Sequence, residues 1–391
     1  MPKDLKIGLA LSGGGSRAIA FHLGCLRALH DRDILSRIKV ISSVSGGSVI
    51  AALWAYSDDS FGNFEKRVTA LLREGLTRGI ARYTLCSLET PKIAAAVATS
   101  GVLAAAGRMA SIGANLPGLF GVSWPCLTEF GASLEAPLPR FASRSTAFER
   151  YLHHGLFKDK RMADVQRESL GIVINAAELR TGTAFRYGSK ETGSWRFGTL
   201  NGASPLVSQA VAASAAYPVL LPAFDQRLEF SKNGKSDRHR VIISDGGVYD
   251  NLGTSCLIPG RSTKYSTNVY DIDFIISCDA GHGLPEGDVI PYTWGTRMQA
   301  TVSSIFRRSA SQSYGQLHDL AKTGQLKGFL LPYLGQQDHK LPFKPSDLIP
   351  REDVITYPTD FAAMTDDNLK RLSLRGEQLT RLLIDHYQPG L

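Results

Sequence analysis

Three short segments of this chain set reactive or anion-binding groups where one secondary element gives way to another. Ser45 lies in Val40-Ile41-Ser42-Ser43-Val44-Ser45-Gly46-Gly47-Ser48, an apolar stretch that stops at a small-residue turn and resumes as the apolar run from Val49 to Tyr56. A strand that turns sharply into a helix at a serine presents the hydroxyl at the strand's carboxyl end with a helix N-terminus behind it, which is the layout of a nucleophile elbow. The spacing approximates G-x-S-x-G, with Ser43 at the first small position and Gly47 at the second. Small residues suit both places because the strained turn brings the flanking backbone close to the serine side chain. An ordinary strand-to-helix turn with Ser45 near the N-cap fits the same residues.

The second segment comes earlier. Lys6-Ile7-Gly8-Leu9-Ala10-Leu11 reads as a short strand and Ser12-Gly13-Gly14-Gly15-Ser16-Arg17 as a loop, after which Ile19, Leu23, Leu26 and Leu29 recur at helical spacing. Successive glycines leave backbone N–H groups uncovered for an anion, and the following helix adds its positive end. Gly13, Gly14 and Gly15 therefore suit an oxyanion hole or a phosphate cradle. A dinucleotide site wants an acidic residue at the end of the next strand, where Ser42-Ser43-Val44-Ser45 stands instead, and no G-K-[ST] closes a Walker loop. A nucleotide-phosphate-binding α/β protein without catalysis stays as an alternative.

The third segment is Arg240-Val241-Ile242-Ile243-Ser244-Asp245-Gly246-Gly247-Val248-Tyr249-Asp250-Asn251. An aliphatic strand ending in Asp-Gly-Gly offers a carboxylate at the sheet edge, with glycines that let another loop approach. Asp245 is then available as the base for Ser45. Parallel neighbouring strands would bring the glycine loop and Ser45 side by side at the carboxyl edge of an open sheet, where such folds bind ligands.

In this order the three segments resemble the patatin-like phospholipase family, with its glycine-rich oxyanion loop, G-x-S-x-G serine and D-G-[GA] aspartate. Asn175-Ala176-Ala177-Glu178-Leu179-Arg180-Thr181-Gly182 and Ala210-Val211-Ala212-Ala213-Ser214-Ala215-Ala216-Tyr217-Pro218 are similar to the family as well. Two positions depart from its pattern, Ala18 after the basic residue and Ser43 at the elbow, and neither removes a catalytic atom. The resemblance implies a three-layer α/β/α fold with a mostly parallel central sheet. It also implies a lipid acyl hydrolase that cleaves phospholipid or other acyl-lipid esters through a Ser45–Asp245 dyad without histidine and without cofactor. Gly13, Gly14 and Gly15 would form the oxyanion hole, and Arg17, Gly47, Gly246 and Gly247 would support the motifs. For Arg17, a role in holding the loop, contact with a phosphate headgroup and plain surface exposure all remain open.

His282, in Asp279-Ala280-Gly281-His282-Gly283, follows Asp245 at the end of another apolar strand, so a Ser-Asp-His triad competes with the dyad. Against it, Ser45 follows a single strand and the glycine loop, earlier in the sheet than a triad hydrolase places its serine. His22 and the His153-His154 pair lack metal-ligand spacing, so no metal is expected.

The remaining elements must carry these segments. Gly171 to Ala176, Phe185 to Gly188 and Ile272 to Cys278 continue the strand series. Thr365 before Asp366-Asp367 caps a final helix with Leu369, Leu372, Leu379, Leu383 and His386 on one face. With 391 residues, 43% of them hydrophobic and 20% charged, the chain can bury a large core, which excludes a disordered protein. We read it as one catalytic domain over residues 1–391. A low-charge insertion at 86–140 is expected to form either a lid or a buried helical hairpin, and its run from Leu116 to Trp124 suits an apolar membrane-contact loop. Five scattered cysteines suit reduced thiols, and no signal-peptide core precedes the glycine loop, so a cytoplasmic protein is expected. The net charge of +8 favours an anionic surface. Without a nucleic-acid motif, that surface is expected to be a membrane touched peripherally.

Overall fold

Short, largely apolar runs, Ile7–Leu11, Ile38–Ser43 and Phe274–Cys278, form the central strands on which the site is hung. The computed structural model describes residues 5–85, 142–218, 220–283 and 290–391, with scattered positions between 91 and 109. The insertion expected at 86–140, including Leu116 to Trp124, otherwise lies outside the described residues. The strands are β1 (Ile7–Leu11), β2 (Ile38–Ser43), β3 (Gly171–Glu178), β4 (Thr183–Gly188), β5 (Thr192–Ser194), β6 (Gly198–Leu200), β7 (Phe224–Lys232), β8 (Lys235–Asp245), β9 (Phe274–Cys278) and β10 (Gly328–Leu330). Among the helices are α1 (Gly15–His30), α2 (Gly46–Ala55), α3 (Phe61–Glu74), α4 (Leu76–Leu85), α5 (Arg144–Leu152), α6 (Val207–Ser214), α7 (Gly247–Asp250), α8 (Trp294–Lys322), α9 (Glu352–Ile355) and α10 (Asp366–Tyr387). No helix among the described residues is long and apolar enough to cross a membrane.

The strands form one sheet in the order β10-β9-β1-β2-β3-β4-β5-β6-β7-β8. From β10 to β3 every pairing is parallel. From β3 to β8 every pairing is antiparallel, and β8 returns to pair with β3, closing that half into a ring. The expectation of a mostly parallel sheet is thus corrected, since parallel pairing is confined to one half. The reason is local. β7 and β8 are joined by Asn233-Gly234, both with positive φ, a two-residue turn that forces an antiparallel hairpin.

In the parallel half both faces are covered. Ile7, Leu9 and Leu11 of β1 and Phe274, Ile276 and Cys278 of β9 join the core beneath α1, α2, α3 and α10. Ala10 and Ile275, on the opposite face, pack with Leu317 and Leu320 of α8. Burial on both faces is why these strands read as unbroken apolar runs. The last helix starts at Thr365, whose hydroxyl accepts the Asn368 N–H, and it packs Leu369, Leu372, Leu379, Leu382 and Ile384 inward while His386 stays exposed.

Candidate active site

The two halves of the sheet meet at Asn175. One edge of β3 pairs with β2 from Gly171 to Ile174 and, beyond Asn175, with β8 from Ala176 to Glu178. β2 runs parallel to β3 and β8 antiparallel, so their carboxyl ends converge on the same few ångströms of β3 from opposite directions. The carboxylate therefore arrives on a strand that approaches the serine's head-on. Asn175 secures the junction. Its Nδ2 donates to Ser42 Oγ (2.9 Å) and to Ser43 O (3.0 Å), and its carbonyl accepts from Ser214 Oγ (2.6 Å).

Ser45 caps α2 with φ 51° and ψ −120°, a left-handed conformation that costs a residue with a side chain of order 1–3 kcal/mol. Its N–H donates to Ser214 Oγ at 2.9 Å, and Ser48 Oγ sits 2.9 Å from the same hydroxyl. Ser214 also ties in the opposite loop, because its carbonyl accepts the Gly246 N–H at 3.3 Å. Ser45 itself is 92% removed from solvent, less open than a turn position implies. Glycine is required at 47, where a side chain would lie 2.4 Å from Leu11 O, and at 246, where it would lie 2.3 Å from Asn175 O.

Asp245 is buried beside Ser45. Its Oδ1 accepts the Gly247 N–H at 2.7 Å, while Oδ2 has no hydrogen-bond partner among the described residues. Burial pushes the carboxyl up to about 7, against the opposing pull of the Gly247 N–H and the Ser45 hydroxyl. The Ser45 hydroxyl is thus close enough to stabilise the carboxylate, although the pair stops short of a formed hydrogen bond.

The glycine loop lies across from these groups. A methyl group at Gly13 would fall 2.6 Å from Asn251 Oδ1 and 3.3 Å from Ser45 Cβ, so the loop touches both the elbow and the segment after the aspartate. The Gly13 N–H donates to Asn251 O at 3.1 Å. That N–H is thus engaged in holding the loop. The N–H groups of Gly14 and Gly15 carry no hydrogen bond among the described residues, and neither does that of Gly46, directly after Ser45. Gly14 and Gly15 have φ of 144° and 59°. The next amide, at Ser16, donates to Asp360 O at 2.6 Å, so the α1 N-terminus is already partly occupied by a carbonyl, which argues against a phosphate cradle.

Arg17 is neither a surface residue nor a headgroup contact. It is buried, and its guanidinium donates to Ala280 O (2.8 Å), Tyr357 O (3.0 Å) and Thr359 Oγ1 (2.7 Å) and meets His282 Nε2. Burial lowers its pKa to about 10 despite Asp279 and Asp360 nearby. His282 makes no hydrogen bond to Ser45 or Asp245 and instead meets Tyr357 O at 2.7 Å. Burial, with Arg17 alongside, lowers it to about 4, leaving a poor base. The triad expectation finds no geometric footing.

Spacing did not reveal that Cys278 joins His22 and Cys25, whose ligand atoms all lie within 4.8 Å of one another in the core. His22 Nε2 lies 3.0 Å from Ser12 O, supporting the glycine loop from below. This group offers three ligands where a closed zinc site takes four. Sequence reasoning also missed Asn251, Ser48 and the strap Tyr357–Met364. Ser214 and Asn175 were visible only as parts of the two lesser family-like segments.

A comparison with curated proteins finds no match. Among solved structures the chain is similar to human GIVD cytosolic phospholipase A2, with TM-score 0.53 and 13% identity over 97% of this chain and 61% of that one. It also aligns with VipD from Legionella pneumophila at TM-score 0.41 and 13% identity, over 98% and 67% of the two chains. At 13% identity the likeness to the human protein is one of fold, and the chain spans about three fifths of that protein's length. A family model described as patatin-like phospholipase matches residues 9–258, which takes in the glycine loop, the Ser45 elbow, Asn175, Ser214 and Asp245. With well over half of its length matched, this chain belongs to the patatin-like phospholipase family.

Proposed function

We propose that the chain is a lipid acyl hydrolase cleaving carboxylic esters of phospholipids through an acyl-enzyme on Ser45. The observation that carries this reading is the buried Asp245 carboxyl beside the Ser45 hydroxyl, with one oxygen fixed by Gly247 and the other without a hydrogen-bond partner among the described residues. A base poised near neutral pH can both accept and return a proton. Asp245 Oδ2 takes the Ser45 proton as Oγ attacks the ester carbonyl, and the carbonyl oxygen becomes an oxyanion facing the Gly14, Gly15 and Gly46 amides. Each well-placed donor is worth roughly 3–4 kcal/mol in the transition state. Collapse of the intermediate expels the alcohol, a lysophospholipid, which leaves with the proton from Asp245. Water then attacks the acyl-enzyme, giving its proton to Asp245, and release of the fatty acid restores Ser45 Oγ–H. The strap and the β9 loop, joined by Arg17, hold the amides still while charge develops.

Fluorophosphonate labelling followed by peptide mapping tests the assignment. Label is expected on Ser45, and Ser45→Ala should lose both labelling and ester hydrolysis while keeping its melting temperature. Hydrolysis by purified Ser45→Ala at the wild-type rate would falsify it. Label on another serine would move the site elsewhere.

A further inference from the structure

The segment leading into α8 and the helix's first half carry apolar side chains that the described chain leaves uncovered. Ile290, Tyr292 and Trp294 are 82, 82 and 80% exposed, and Met298 and Ile305 remain exposed further along. The second half of the same helix buries Ala310, Leu317 and Leu320. Trp294, Met298 and Ile305, at i, i+4 and i+11, fall on one stripe. Arg297 and Arg308, also eleven apart, run along its edge.

This stripe is fixed close to the candidate active site. Phe306, one residue past Ile305, faces inward, edge-on to Tyr217 at 5.7 Å and against Gly247, whose side chain would lie 2.7 Å from the Phe306 ring. Ser309 Oγ donates to Tyr249 O at 3.1 Å, just after the Asp-Gly-Gly turn. Tyr249 and Leu220 are exposed beside these contacts.

Charge selects the occupant. From Ile290 to Arg308 the charged residues are Arg297, Arg307 and Arg308, with no Asp or Glu. Arg297 donates to Pro291 O and Arg307 to Ser304 Oγ, and none of the three pairs with a carboxylate among the described residues. Tryptophan and tyrosine at the end of an apolar stripe, rimmed by arginines that no described carboxylate pairs, match the headgroup layer of an anionic bilayer, where aromatic rings settle and cations find phosphate. We propose that the N-terminal half of α8 docks on an anionic phospholipid bilayer and sets Ser45 against it. The benefit to catalysis rests on the hydrolase reading, but the docking itself does not require Ser45.

Cosedimentation of the full chain with phosphatidylcholine vesicles, with and without phosphatidylserine, reads the docking directly, and a short water-soluble ester reads the active site. Trp294→Ser with Met298→Ser and Ile305→Ser should weaken binding to phosphatidylserine vesicles by about tenfold or more, with melting temperature and short-ester hydrolysis unchanged. Arg297→Glu with Arg308→Glu should abolish the preference for phosphatidylserine, and added salt should mimic it. Wild-type-like vesicle binding by the triple-serine variant overturns the proposal. So does a wild-type protein that ignores vesicles or pairs with itself through this face, or a triple variant that loses stability and both activities together. Face-dependent vesicle binding by a chain with no esterase activity would support the docking and sink the hydrolase reading alone.

Discussion

Asp245 concentrates at one residue the conflict between stability and chemistry. Its carboxyl titrates near 4 in an unfolded chain and near 7 in the fold, where burial opposes ionisation. The folded state therefore holds the proton more tightly, and stability falls as pH rises from about 4 through about 7, because the ionised group must be kept in a dry site. Asp245→Asn keeps the shape and the Gly247 contact while removing the charge. Its melting temperature should match wild type near pH 4 and exceed it at pH 8, while ester hydrolysis falls by roughly 10²- to 10⁴-fold. Wild-type kcat should rise with pH along a limb centred near 7. A variant less stable than wild type at pH 8 would show that the carboxylate is stabilised by groups other than those around it here.

At the scale of elements, the meeting of β2 and β8 end to end on β3 needs a fastener, and Ser214 on α6 provides it. One hydroxyl accepts the Ser45 N–H and donates to Asn175 O, while the carbonyl of the same residue accepts the Gly246 N–H. The strained φ of Ser45 is held by this hydroxyl on one side and by the start of α2 on the other. Ser214→Ala leaves a buried N–H and a buried carbonyl short of a partner, a cost of about 1–3 kcal/mol each. Because the elbow would relax toward ordinary φ, kcat and the rate of fluorophosphonate labelling should fall by about tenfold or more, with KM little changed. Equal labelling rates in Ser214→Ala and wild type would remove Ser214 from the positioning role.

Over the whole molecule, the glycine loop depends on chain that comes long after the motifs. The strap Tyr357–Met364 holds Arg17 and Ser16, and it is carried by α10, which crosses α1 at close range. A side chain at Gly24 would lie 1.7 Å from Ser373 O and one at Gly376 2.2 Å from Phe21 O, so backbone meets backbone at this crossing. Beside it, the buried Arg375 donates to Leu334 O, Gln336 O and Ile349 O, pinning α10 to the loops after β10. Gly376→Ala should push the helices apart, lowering the melting temperature by several degrees and ester hydrolysis with it. Gly315→Ala, on α8 where nothing lies within 4 Å, should instead be neutral or stabilise by about 0.5–1 kcal/mol. Thermal melts of the two variants side by side decide the matter, and an unchanged melting temperature in Gly376→Ala would count against the tight crossing.

The local elements were legible in the chain itself: the strand, glycine loop and helix at Ile7–His30, the strand-to-helix turn at Ser45, and the capped helix from Thr365 each arise from neighbours in sequence. Hydrophobic period, glycine conformation and capping act over a few residues, so a single sequence reveals them. The order of the motifs was enough to reach the family. The direction of β8 was less open to view, because an aliphatic run reads alike in either orientation, and the Asn233-Gly234 turn sets it from the far end of the hairpin. Which amides stay open could not be read at all. Asn251 occupies the Gly13 N–H and Asp360 that of Ser16, while Arg17 turns inward to carbonyls at Ala280 and Tyr357. A hydrogen bond between residues hundreds of positions apart leaves no periodic trace, since its donor and acceptor are the same backbone groups every residue carries. Only packing decides which of them meet.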